Sequence, residues 1–301
     1  MEKPRVLVLS RNYPNSVFPT LGLWAEGVVH LTSRFAHLKV ISPVPYCPPL
    51  PGIPENFARF RGVERHRREG EIEVFHPRIV VPPGSMFHGT EHWPYYLRVA
   101  PLAKALRREF PFDLIHAHFT YPDGWVAAKL GQRYGVPVII TEQAAWRPWM
   151  DNAPRVLRHA LWAARHCAFH IAISRSHRET ITHFTGETPR LKLIPDAVDG
   201  SVFTLPQAGH QRIPNQLLLV GAIRHVKGAD ILARALRILT DRGRDLRLVH
   251  VGESFYGGWR RDFEEFQRLV NELGLAPRVE YAGKKATPEL VRYMQASALL
   301  V

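Results

Sequence analysis

Short, β-branched apolar runs separated by stretches of helical periodicity constrain this chain more than any other feature of its sequence. Arg5–Leu9, Leu38–Ser42, Ile72–Phe75, Asp113–His116, Val136–Thr141 and Phe169–Ser174 are each four to six residues long and largely apolar. Strands buried on both faces read this way, because helices cover a parallel sheet from both sides. Helical patterns at Leu23–Phe35, Tyr96–Phe110 and Trp125–Tyr134 supply the crossovers that parallel neighbours need. The fold class is therefore α/β with parallel sheets.

The pattern loosens between Pro189 and Pro214, where Pro195 and Pro206 also fall, and this segment reads as an interdomain linker. A second β/α series follows, with strands at Leu217–Gly221, Leu246–Val251, Val279–Ala282 and Ala298–Val301 and helices near 228–242, 260–273 and 287–296. The division is an N-terminal domain with its hinge over 1–205 and a second domain over 206–301. An apolar strand with no helix after it leaves a sheet face uncovered, so the second domain reads as incomplete.

The 301 residues carry 40 Lys+Arg against 27 Asp+Glu, a net charge of +13 and a pI near 10.1, which calls for an anionic partner. Phosphate groups and an anionic membrane surface fit. Nucleic acid is disfavoured, because the cations are scattered without a basic tail or a basic-aromatic strand. No apolar stretch approaches the roughly 18 residues that span a bilayer, which reads as a cytoplasmic chain or one peripheral to the inner face of a membrane. Cys47 and Cys167 lack any metal-ligand spacing and read as buried or idle thiols, and no metal site is expected.

Four segments place chemistry at strand ends. Ser10–Pro14 and Pro19–Gly22 put a glycine loop between the first strand and a helix N-terminus, which suits a phosphate or serves as a structural turn. Asp113–His118 delivers His116 and His118 to one side of a strand; sugar-hydroxyl bonding, a metal or a bonded core are all open to them. Leu219–Leu232 passes through Gly221 to a helix opening at Lys227-Gly228, where an ammonium adds to the helix dipole as a diphosphate requires. Val279–Lys285 repeats the arrangement around Gly283, with a solvated basic loop as the plain alternative.

In order and spacing these segments resemble family 4 retaining glycosyltransferases over essentially the whole chain. Gly22 matches the glycine of the N-terminal loop, and Asp113-Leu-Ile-His-Ala-His118 resembles the family's Asp-apolar-apolar-His-x-His stretch. Ile171–Ser174 and Ile194–Asp199 with Phe203 are similar to the segments leading through the hinge, and Val220-Gly221, Lys227-Gly228, Leu248–Gly252 and Val279–Gly283 to the start of the donor domain. The resemblance implies a GT-B fold of two Rossmann-like domains and a UDP-sugar or GDP-sugar donor. It implies no other cofactor, and transfer with retained configuration to a glycan or lipid-linked acceptor. Gly22, Gly221, Lys227, Gly228 and Gly283 would hold the donor, His118 would bond a hydroxyl of the transferred sugar and His116 would support it.

The chain departs from the family at three places. Ala222 stands where an arginine often follows the donor-domain glycine, Glu142-Gln143 where Glu-His is usual, and Asp196-Ala197 where the hinge has Asn-Gly. The paired glutamates of the family would fall beyond Val301, so the chain is expected to be an impaired fragment. Two rivals share the features: a GT-B sugar-nucleotide epimerase, and a non-catalytic binder of anionic polymer or lipid. A helix over Ala153–Ala168 would align Arg155, Arg158, Trp162 and Arg165 as a basic stripe opposite Val156, Ala160 and Ala163. That stripe suits anionic lipid or a phosphate-bearing acceptor, or is a merely solvated face.

Overall fold

Along β1 (Arg5–Leu9) the side chains alternate, and this decides how the first sheet is covered. Val6 and Val8 pack against Ala25 and Val29 of α1 (Leu23–Ser33), whereas Leu7 and Leu9 face the opposite core with Tyr95, Val126 and Ala160. In this computed structural model all residues are described except 1, 50, 52, 54, 82–88, 147–149, 208 and 253–257, with the backbone alone for 56, 258 and 259.

The described chain divides into two compact units, Met1–Val198 and Asp199–Val301. In the first, β1 is joined by β2 (His37–Ile41), β3 (Val44–Pro45), β4 (His66–Glu69), β5 (Ile72–Phe75), β6 (Arg78–Ile79), β7 (Leu114–His118), β8 (Val138–Glu142), β9 (Phe169–Ala172) and β10 (Leu191–Leu193). Eight of these form one sheet in the order β10-β9-β8-β7-β1-β2-β5-β4. All its pairs are parallel except the hairpin β4–β5, while β3 and β6 pair separately. The helices after α1 are α2 (Glu55–Ala58), α3 (His92–Glu109), α4 (Trp125–Tyr134), α5 (Pro154–His166) and α6 (Arg175–Thr185).

In the second unit β11 (Ile213–Val220), β12 (Arg247–Val251), β13 (Val279–Tyr281) and β14 (Ser297–Leu300) form a parallel sheet ordered β13-β12-β11-β14. Its helices are α7 (Ala229–Asp241), α8 (Gly258–Glu272) and α9 (Thr287–Ala296). Leu217 and Leu248 pack with Ala233 and Leu236 of α7 and with Phe266 and Val270 of α8, closing one face. On the other, Leu218, Val249 and Val251 meet Leu290, Tyr293 and Met294 of α9.

Three elements differ from the expectation. The supposed linker contributes β10 to the edge of the first sheet, paired with β9, and Pro214 lies inside β11. Helix α3 starts four residues early, at His92, and passes through the exposed Pro101. Strand β7 continues to His118, so both histidines lie within the strand. Cys47 and Cys167 are free and buried, and among the described residues no helix is long and apolar enough to cross a membrane.

Candidate active site

At the carboxyl edge of the first sheet, β1 runs into Ser10-Arg11-Asn12, and the chain returns to this loop at Gly22. Gly22 has φ 74°, and a Cβ there would lie 2.1 Å from the carbonyl oxygen of Asn12. Only glycine accepts both the left-handed backbone and that close approach. Trp24, in the first turn of α1, sets its ring 5.4 Å from that of His118 and 5.3 Å from that of Phe119, so the Gly22 loop and the end of β7 are neighbours.

His116 and His118 project from one face of β7 with ring centroids 4.6 Å apart. His116 Nε2 lies 2.8 Å from Thr141 Oγ1 on β8. His118 is fully buried, and neither of its ring nitrogens has a hydrogen-bond partner among the described residues. Burial pushes His116 down to about 4, and burial together with the neighbouring His116 holds His118 well below the ordinary histidine range. Both rings are therefore neutral at pH 7, each with one N–H donor and one acceptor nitrogen. Phe119, the next residue, has φ 75°, a strained backbone of the sort that gathers at functional sites.

Buried polar residues to which the sequence assigned no role tie this edge together. Asp123 accepts hydrogen bonds from the backbone N–H of Arg11 (2.7 Å) and the hydroxyl of Tyr95 (2.8 Å), with Arg11 Nε 3.9 Å away. Burial pushes its carboxyl up to about 7, against the lowering by Arg11. Glu142 accepts from the N–H of Thr120 (3.0 Å), the N–H of Ala144 (2.8 Å) and Trp146 Nε1 (2.7 Å), and His170 Nε2 lies 2.9 Å from Thr120 Oγ1. The loop carrying His118 on to Asp123 is thereby held from three strands.

In the second unit a glycine follows each of three strands, Gly221 after β11, Gly252 after β12 and Gly283 shortly after β13. Gly221 N–H donates to Val251 O (2.9 Å), Gly252 N–H to Gly283 O (3.1 Å), and His250 Nε2 lies 2.8 Å from Gly221 O. A Cβ on Gly252 would fall 2.1 Å from Gly221 O, so the strand ends meet as bare backbone. Lys227 is exposed, at the end of the single turn His225–Lys227, and its Nζ lies 3.3 Å from where a Cβ of Gly221 would stand. Gly228 caps the N-terminus of α7. Gly221, Lys227 and Gly228 are thus brought together, with Gly283 joined through Gly252, which carried no assigned role. An ammonium, backbone amides and the positive end of a thirteen-residue helix in one place suit a phosphate.

Among the described residues one group of side chains, Glu26, His30 and Glu69, has ligand atoms close enough for a metal ion. Arg67 already forms an ion pair with Glu69 there.

Comparison with known proteins agrees with this architecture. The family described as Glycosyltransferase Family 4 matches residues 57–201, and Glycosyl transferases group 1 matches residues 205–301. A 2-deoxystreptamine glucosyltransferase of Streptomyces kanamyceticus is 30% identical over 80% of this chain and 67% of its own length. A D-inositol 3-phosphate glycosyltransferase of Nocardiopsis dassonvillei is 26% identical over 66% of this chain, which spans about half (51%) of that relative. Among solved structures, sucrose-phosphate synthase from Thermosynechococcus elongatus superposes with a TM-score of 0.71 at 16% identity, covering 99% of this chain and 75% of that one. Anabaena HepE in complex with UDP and glucose gives 0.64 at 19% identity, covering 98% and 73%. The chain belongs to the GT-B glycosyltransferases.

Proposed function

We propose that the chain transfers a sugar from a nucleoside diphosphate sugar to a glycan or lipid-linked acceptor with retention of configuration, as the family 4 enzymes do. The second unit, 206–301 in the sequence-based division, is the donor domain, and the first is the acceptor side. The carrying observation is the meeting of Gly221, Gly252 and Gly283 under Lys227 at the N-terminus of α7. A diphosphate bound there gains amide hydrogen bonds and a point charge as it leaves, which is where negative charge develops in the reaction. Gly22 supplies a second glycine turn at a helix N-terminus for phosphate in the first unit.

His118 binds a hydroxyl of the transferred sugar, and His116, fixed by Thr141, holds it in place. No protein nucleophile or metal is assigned; positioning and electrostatic stabilisation carry the rate. The donor is UDP- or GDP-linked, and UDP-glucose is the first to test, because one relative is named a glucosyltransferase and HepE was solved with UDP and glucose. The proposed reaction runs in the cytoplasm, at the inner face of a membrane when the acceptor is lipid-linked.

Product analysis tests this reading. UDP or GDP released only with an acceptor, and a new glycosidic bond of the donor's anomeric configuration by NMR, are expected. An isomerised sugar nucleotide without acceptor would show an epimerase instead.

A further inference from the structure

We infer that the outer surface of α3, α4 and α5 is a docking face for an anionic lipid membrane. The inference deepens the lipid-linked-acceptor reading and rests on it for its purpose, though not for its physical argument. The three helices follow one another over one face of the first sheet and hold nine Lys and Arg against a single carboxylate, Glu109. Seven of the nine, Arg98, Lys104 and Arg108 of α3, Arg133 of α4, and Arg155, Arg158 and Arg165 of α5, are exposed and form no ion pair among the described residues, while Arg107 donates to the carbonyl of Phe112. In the second unit, by contrast, Arg260 and Arg261 of α8 are matched within the helix by Glu264 and Glu265. On α8 the charge is neutralised locally; on α3–α5 it faces solvent as a field of one sign.

The second feature is apolar. Trp93 and Leu97 stand 53% and 67% exposed one turn apart on α3, in a row that continues through the exposed Pro101, Lys104 and Arg108. Beneath this row Trp125 of α4 is buried, 5.4 Å from Trp93 and 5.6 Å from the half-buried Trp162 of α5, so the apolar surface itself is made by Trp93 and Leu97 with the edge of Trp162. Lys129 Nζ sits 4.3 Å from the Trp162 ring centroid and 5.5 Å from that of Trp125. On α5 the row Arg155, Arg158, Trp162 and Arg165 borders this line, while Val156, Ala160 and Ala163 are buried beneath it.

Basic side chains interleaved with tryptophan and an exposed leucine match the headgroup boundary of a bilayer, where cations meet lipid phosphate and amphipathic rings enter the acyl edge. Lipid explains both halves of the pattern. A phosphate backbone in water would use the cations, but would gain nothing from a two-thirds-exposed leucine in the same row.

The test is co-sedimentation of the full chain with vesicles of phosphatidylglycerol and phosphatidylcholine, against phosphatidylcholine alone, without nucleotide. Binding to the anionic vesicles only, weakened by salt and accompanied by a blue shift of tryptophan emission, is expected. A membrane cation is worth about a five-fold change in partitioning, so Arg158→Gln with Arg165→Gln should lower it roughly 25-fold. Trp93→Ser with Leu97→Ser should remove the blue shift. Arg260→Gln with Arg261→Gln makes the same charge change on α8 and should leave binding as it was. The inference is overturned by absence of sedimentation, by equal binding to phosphatidylcholine, or by equal loss in the α8 pair. Displacement by polyuridylate at equal charge, with no blue shift on vesicles, would assign the face to nucleic acid and overturn it too. Because no nucleotide is present, lipid binding can survive a failure to bind UDP or GDP, and the two readings fall separately.

Discussion

Replacing Gly22 and Gly27 by alanine should have opposite effects, although both glycines adjoin or lie in α1. At Gly22 the added Cβ would stand 2.1 Å from Asn12 O and 2.4 Å from Asn12 C, at a φ of 74°. That separation is well inside an ordinary contact of roughly 3.5 Å, and the obstacle is backbone, which cannot rotate away. A left-handed non-glycine residue costs about 1–2 kcal/mol and the overpacking about 1–3 more. The sum is about 2–5 kcal/mol of destabilisation, or roughly 4–20 °C in Tm for a unit of this size. At Gly27, inside the helix, no atom lies within 4 Å of the new Cβ. Alanine there should stabilise by about 0.5–1 kcal/mol through helix propensity alone. Six of the seven tryptophans precede residue 198, so fluorescence-monitored urea or thermal unfolding reports on the first unit. A Gly22→Ala protein melting at or above the parent would refute the reading of this turn as sterically closed.

Two further outcomes concern pH. Burial holds His116 and His170 at about 4 and keeps His118 well below the ordinary histidine range, so the folded state resists protons that the unfolded chain takes up below about 6.5. Stability is full above that pH and should fall as pH drops from 6.5 toward 4. His170→Gln should flatten this fall, and an unchanged slope in denaturant titrations would contradict the assignment. Asp123 acts with the opposite sign: its carboxyl, raised to about 7, favours the folded state while protonated, and that contribution is lost as pH rises from about 4 through 7. Asp123→Asn should therefore gain on the parent between pH 5 and pH 8, by about 3 kcal/mol for the roughly two pKa units between pH 5 and the raised value; a constant difference would show that the carboxyl ionises normally.

How much could be read from the sequence depended on whether the information was local. The buried runs of β1, β11 and β12 and the helix Trp125–Tyr134 were legible because burial on both faces leaves continuous apolar stretches with fixed periods. Strand β4, His-Arg-Arg-Glu, was not, since an edge strand of exposed and half-exposed residues carries no apolar alternation and is defined only by pairing with β5. Helix α6 buries only Ile181, and β10 sits among prolines, so neither announces itself. The same holds at the candidate site. Gly22, His118 and Lys227 could be singled out by strand-loop-helix position. The importance of Asp123 comes from Arg11, 112 residues away, and that of Gly252 from the carbonyl of Gly221 on the neighbouring strand.

A diphosphate site at Lys227 is what the proposed transfer most needs, and calorimetry with UDP and with GDP tests it most directly. A charge-assisted hydrogen bond is worth about 1.5–3 kcal/mol, so Lys227→Ala should weaken nucleotide binding roughly ten- to a hundred-fold. Ala222→Arg, which places a bidentate donor beside Gly221, should strengthen it. If the parent chain binds UDP or GDP and Lys227→Ala binds it as tightly, with its circular dichroism unchanged, the diphosphate does not sit at the glycine-lined strand ends and the central claim fails.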